Sequence, residues 1–179
     1  MKIYTTLLVL LLTISINAQD KYFTKSGNVS FFSYTLVEDI KADNNQVLSI
    51  IDAKNGEIVI KILMRSFQFK KALMQEHFNE NYIESHKYPK AIFKGTINNF
   101  ETLDEIKETE IIGKLTIRGI EKEVIIKTNI ERQKNKISLK GDFSVKVSDF
   151  DIKIPAVVSK NISRTIKISF DLNYKPYKS

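Results

Sequence analysis

The sequence predicts an all-β domain in which each strand buries one face, either between two packed sheets or inside a closed barrel. Three observations predict it. Apolar residues recur at every second position over most of the chain, short turn signals separate the runs, and those connections are too short for the crossovers that parallel strands need.

The alternation is clearest after residue 56. In EIVIKILM, Ile58, Ile60, Ile62 and Met64 share one face, and Glu57 and Lys61 the other. Ala91, Phe93, Gly95 and Ile97 repeat the pattern, followed by Ile111, Gly113, Leu115 and Ile117 opposite Lys114, Thr116 and Arg118. Val124, Ile126, Thr128 and Ile130 make the next dry face. Ile137, Leu139, Gly141, Phe143 and Val145 make another, and Ile166, Ile168, Phe170 and Leu172 the last. Turns are expected at KNGE (54–57), around Gly119 in RGIEKE, and at RQKNK (132–136). The N-terminal runs NVSFFSYTLVEDI and QVLSIID are β-branched and aromatic but have no single register. Seven strands are therefore expected, with room for an eighth.

Strands of this kind must fold as two sheets or close on themselves. Gly95, Gly113 and Gly141 fall at inward positions on three of them. An interior glycine marks a bend or a close approach to the backbone. Three together point to a partly open interior, because a filled core would carry Val or Leu there. On that reading Gly113→Leu expels a ligand without unfolding the chain; with a closed core it is tolerated or stabilising.

One segment breaks the β rhythm. In MQEHFNENYIESHKYPKAIFKG (74–95), Phe78, Tyr82 and Ile83 fall at helical spacing, Asn79 or Asn81 can cap, and Pro89 ends whatever precedes it. A short helix or helical turn leading into a strand is expected. A second irregular stretch, SDFDIKIPAVVSKNIS, precedes the last strand.

The chain opens on Lys2 and an apolar run at residues 7–16, followed by small and polar residues ending in Ala18. That pattern reads as a secretory signal peptide over residues 1–18, too short for a membrane span, with 19–179 as one domain. With 0 Cys there is no disulfide framework, no thiolate site and no lipidated leader. The formal charge of +7 is spread on lysines that alternate with apolar residues, as in KISLKGDFSVKV, so solvated strand faces are expected and a nucleic-acid patch is not. The acidic run ETLDEIKETE (101–110) reads as a solvated loop.

The two histidines, His77 and His86, raise the question of chemistry. Nine residues apart on an unbroken helix, they would stand about 13 Å from each other, too far to share a metal. No serine has a nucleophile-elbow setting, and Ser85 has no reason to face His86. The carboxylates of the acidic run have nothing to drive their pKa values apart. A break between the two histidines would bring them together, and a metal-dependent enzyme built on His77 and His86 is a third, weaker class; no catalytic residue, metal or cofactor is the expectation.

Three stretches resemble the YceI-like family of secreted lipid-binding proteins: LMQEHFNENYIESHKYPKAIFKG, IIGKLTIRGIEKEV, and GDFSVKVSDFDIKIP before a closing strand. The family pattern is matched at His77-Phe78, Tyr82-Ile83, Tyr88-Pro89 and Phe93, and its G-x-L-T-I-R-G signature is intact at residues 113–119. The N-terminal histidines of the family are replaced here by NVSFFSYTLVEDI, and the usual Arg before the G-D-F segment by Leu139-Lys140. The resemblance implies an antiparallel eight-stranded lipocalin-like barrel with one or two short helices and an apolar channel for a polyisoprenoid or similar amphiphile.

The expected partner is thus a long apolar or amphiphilic molecule in the bore, held without catalysis by a protein in the periplasm or medium. Alternation nominates Ile60, Ile62, Phe93, Gly95, Gly113, Leu115, Ile117, Gly141, Phe143, Ile168 and Phe170 as its lining, with Phe78 and Tyr82 at the mouth. The competing class is an envelope structural or interaction protein with a closed barrel core. No integral membrane segment is expected after the leader, and the sequence sets no oligomeric state.

Overall fold

The computed structural model describes residues 21–34, 39–102, 106–133, 135–155 and 163–177. The expected leader, residues 1–18, lies outside them.

Among the described residues, nine strands follow in chain order: β1 (Lys21–Ser33), β2 (Ile40–Asp52), β3 (Glu57–Leu63), the two-residue β4 (Gln68–Phe69), β5 (Lys90–Ile97), β6 (Ile106–Ile117), β7 (Ile120–Gln133), β8 (Lys136–Lys146) and β9 (Thr165–Pro176). Every pairing is antiparallel, in the order β1-β9-β8-β7-β6-β5-β3-β2, and β1 pairs with β2 to close the ring. The result is an eight-stranded barrel, with β4 added beside β2. Closure removes the unpaired edges that an open sheet of these strands would expose.

The turns carry the residues their geometry requires. Ile117 and Ile120 pair across a two-residue loop in which both Arg118 (φ 49°) and Gly119 (φ 74°) are left-handed, as a type I′ hairpin demands. In the 54–57 turn, Gly56 is left-handed (φ 71°), and the Asp52 and Asn55 side chains accept backbone N–H bonds from Lys54 and Glu57. The N-terminal strands lacked a readable register because their pairing is bulged: shifts between Thr24, Gly27 and Val29 break the period.

The barrel has two unlike halves. In the half containing the β2–β3 turn, Ile51, Ile58, Ile97, Phe100, Ile130, Ile137, Leu172 and Tyr174 are all buried to 2 % exposure or less and fill the bore. The Tyr174 hydroxyl meets Ser49 Oγ at 2.8 Å, and Ser49 also donates to the Val59 carbonyl at 2.9 Å, so the buried polar atoms are partnered. The other half is hollow.

Two local expectations are corrected. The acidic run is not wholly a loop: β6 begins at Ile106, and Glu108 and Glu110 face Asn129 and Lys127 across the ladder. Cross-strand partners hold as strand what composition marks as loop. The helix also begins earlier than the spacing suggested, as α1 (Ala72–His77), and continues into a π-helical turn, Phe78–Tyr82. Asn79 caps no N-terminus. Its amide donates to the Gln75 carbonyl at 2.9 Å and its Oδ1 accepts from Ser85 at 2.8 Å, tying down the end of the turn.

Candidate functional site

The hollow half encloses a cavity of about 420 Å³. Its floor is the filled core, where Ile111, Ile126, Leu139 and Leu172 reach it; its walls are inward residues of β1, β3, β5, β6, β8 and β9. Leu139 and Val145 both line it, which places its long dimension at about 15 Å once strand rise and barrel tilt are combined. Ser33, His77 and Tyr82 are the polar members of an otherwise apolar wall. Burial raises the Tyr82 phenol above its ordinary value of 10.0.

Ten of the residues nominated from alternation line this space: Ile60, Ile62, Phe78, Tyr82, Phe93, Leu115, Ile117, Phe143, Ile168 and Phe170. The three glycines do not. A Cβ on Gly113 would lie 2.4 Å from the Lys94 carbonyl oxygen and 2.7 Å from Phe93 Cζ, and one on Gly95 would lie 2.6 Å from the Ile112 oxygen. At Gly141 the obstacles are the Lys127 oxygen (2.7 Å) and the Phe170 ring (2.8 Å). Gly95 and Gly113 are direct cross-strand partners beneath one phenyl ring, so they allow strands to coil and an aromatic to lie flat. They do not open the bore.

Other wall residues carried weaker signals. Phe31 lies in the bulged strand, where period two fails. Phe150, Ile152 and Ile154 all line the cavity and are spaced by two, a strand-like cue inside a stretch that is otherwise irregular.

The segment after α1 forms one wall of the mouth. Phe78 sits among Phe31, Phe67 and Phe69 with ring centroids 5.1–5.7 Å away, stacked on Phe31 and tilted or edge-on to the other two. Met74 and His77 of α1, with Tyr82 and Ile83, complete this wall. The segment is anchored by Arg118, whose guanidinium donates to the Glu84 carboxylate and to the Asp151 carbonyl and lies 5.6 Å from the Tyr88 ring centroid. Glu84, Arg118 and Asp151 all have left-handed backbones, at φ 53°, 49° and 51°. One side chain thus joins three strained corners, and its Nε is buried without a hydrogen-bond partner among the described residues. Alternation had placed Arg118 on the wet face; its side chain is only 15 % exposed. Lys87 and Arg118 together hold the Glu84 carboxyl down at about 2.

Neither histidine is part of a metal cluster: among the described residues, no three His, Asp or Glu side chains are placed to hold an ion. Ser85 is buried against Asn79 and Arg65, and its hydroxyl donates to Asn79.

A family profile described as the YceI-like domain matches residues 15–174. The chain belongs to the YceI-like family. Among solved structures, it is similar to a polyisoprenoid binding domain from Saccharophagus degradans implicated in plant cell wall breakdown, at 15 % identity and a TM-score of 0.76 over 88 % of this chain and 99 % of that one. It is also similar to BcnA of Burkholderia cenocepacia (17 %, 0.71, 82 % and 95 %) and to the YCEI protein of Campylobacter jejuni (16 %, 0.65, 81 % and 90 %). At these identities the likeness establishes the barrel. None of the curated proteins matches the sequence. Among the described residues of this YceI-like chain, no helix is long and apolar enough to cross a membrane.

Proposed function

We propose that this YceI-like protein is exported and carries or sequesters a long apolar or amphiphilic molecule, of the polyisoprenoid kind, in the hollow half of its barrel. The observation that carries the reading is the cavity itself, about 420 Å³ with an almost wholly apolar wall. An apolar void of that size, nearly three times the ~150 Å³ that suffices for a benzene ring, loses contacts on all sides unless a chain fills it. The printed description of the Saccharophagus degradans neighbour as a polyisoprenoid binding domain supports the ligand class. Export rests on the leader-like residues 1–18.

Each buried methylene contributes about 0.8 kcal/mol, so ten give about 8 kcal/mol before the cost of ordering the chain. With so few polar atoms in the wall, the tail is bound by burial and its polar head remains near His77 and Tyr82 at the mouth. No bond is made or broken.

Lipid extraction of the purified protein followed by mass spectrometry tests this reading. A reproducible long-chain species at near-stoichiometric amount is expected. Protein that is empty as isolated and takes up no long-chain amphiphile overturns it and favours an envelope structural role.

A further inference from the structure

We propose that the rim around the cavity mouth docks on an anionic lipid bilayer, so that cargo passes between membrane and barrel without crossing water. The proposal rests on the carrier reading above for its purpose, while its physical basis is a separate surface. At the mouth end of β1 the chain alternates: Phe31 and Ser33 face the cavity, Phe32 and Tyr34 face out, and these last two are 37 % and 64 % exposed. Phe32 pairs with Lys41 on β2 and with Lys167 on β9, so an outward phenyl ring is flanked on both sides by lysines. On the other side of β2, Ala42 pairs with Phe69 of β4, which brings Lys70, Lys71 and the first turn of α1 to the same rim. There Leu73, 61 % exposed and outside the cavity wall, points to solvent beside Met74, which lines it.

Exposed apolar and aromatic side chains set among lysines are what an anionic interface selects: the rings and aliphatic groups enter the headgroup layer while the ammonium groups meet the lipid charge. Counter-charges are present as well: Lys41 meets Asp43 at 3.4 Å, Lys167 meets Asp142 at 3.3 Å, Glu76 stands on α1 itself and Glu80 on the turn that follows it. Both ion pairs are exposed and therefore weak. Lys70 and Lys71, both exposed, stand beside the exposed Leu73 on the same rim. Its continuity with the cavity distinguishes this patch from the exposed apolar side chains on the barrel's outer wall, such as Ile125, which is 63 % exposed on β7.

The test is co-sedimentation of the delipidated full-length mature chain with phosphatidylcholine vesicles, with and without phosphatidylglycerol, at low and high salt. Binding is expected on the anionic vesicles, and salt should weaken it. Leu73→Glu, and Lys70→Glu with Lys71→Glu, should each reduce partitioning, the double lysine change by about tenfold or more because each lysine near an anionic surface is worth about a factor of five. Ile125→Glu should leave binding unchanged, and thermal melts should show every variant folded. Equal partitioning on both vesicle types, or an equal loss with Ile125→Glu, overturns the proposal. So does a Leu73→Glu variant that converts a dimer to a monomer while vesicle binding persists, which would assign the rim to a second copy. Lipid extraction separates the two ideas: cargo without vesicle binding sinks the docking surface alone, and vesicle binding without cargo sinks the carrier alone.

Discussion

The phenyl ring of Phe93 occupies the space that a side chain on Gly113 would need, with Cζ 2.7 Å from the position of a Cβ there. That contact links a strand glycine to the shape of the bore. Because the Lys94 carbonyl is nearer still, at 2.4 Å, even alanine forces the β5–β6 ladder apart. Gly113→Ala is expected to lower stability by about 1 to 3 kcal/mol in urea titration, and Gly113→Leu by more. An unchanged midpoint for either would mean that the strands can separate freely, and would restore the idea of an open bore at the glycines.

Tyr174 should give the fold an alkaline limit. Burial raises its phenol well above the ordinary value of 10.0, against a smaller opposing effect of its hydrogen bond with Ser49. The unfolded chain therefore ionises first, so this contribution to stability is intact below about pH 10 and declines as pH rises beyond it. Tyr174→Phe removes that decline, at a cost near neutrality of about 1 kcal/mol for the lost hydrogen bond. Denaturation curves of both proteins from neutral to strongly alkaline pH would show it; parallel pH profiles would contradict it.

Glu84 should set the acid limit of the mouth. Its carboxyl is depressed from 4.5 to about 2 by Lys87 and then Arg118, so the stabilising contribution is complete above 4.5 and is lost as pH falls toward 2. Glu84→Gln should flatten the melting-temperature profile across that window. Arg118→Lys should loosen the same corner at neutral pH, because one ammonium cannot span both Glu84 and the Asp151 carbonyl in the guanidinium's geometry. Faster amide exchange in residues 83–88 would be the readout, and unchanged exchange would remove Arg118 from this role.

On the proposed carrier reading, Phe78 is the side chain placed to control exchange at the mouth. It joins the mouth segment to three other phenyl rings, yet it is only half-buried. Phe78→Ala is expected to cost about 2 kcal/mol, less than a fully buried Phe. It should speed release of a fluorescent long-chain probe by at least several-fold. Ile168→Trp, which fills the cavity, should instead reduce the amount of probe bound. Equal release rates and equal capacity would show that neither residue meets the ligand.

Most of the barrel wall was legible because period-two alternation is a local property. Ile60, Ile62, Leu115, Phe143 and Ile168 could be assigned inward without knowing which strand lay beside which. The same rule failed at Phe31, where bulges reset the period, and at the acidic run, where pairing to β7 extends a strand into polar sequence. It also failed at Arg118. Alternation placed that side chain outward, while its position in a type I′ turn beside Glu84 and Asp151 buries it.

By itself, the sequence determined that the chain is all-β, that its strands are antiparallel neighbours and that each has one dry face, because strand period and turn chemistry are encoded over a few residues. The tertiary structure alone decided where the dry faces meet and where they leave a gap. Whether Gly113 opens the bore depends on a ring from the adjacent strand, and that the segment from His77 to Tyr88 walls the cavity depends on Phe31, Phe67 and Arg118, which come from three other parts of the chain. Packing between residues far apart in sequence leaves no periodic trace, so cavity and mouth emerge only when the ring of strands is closed.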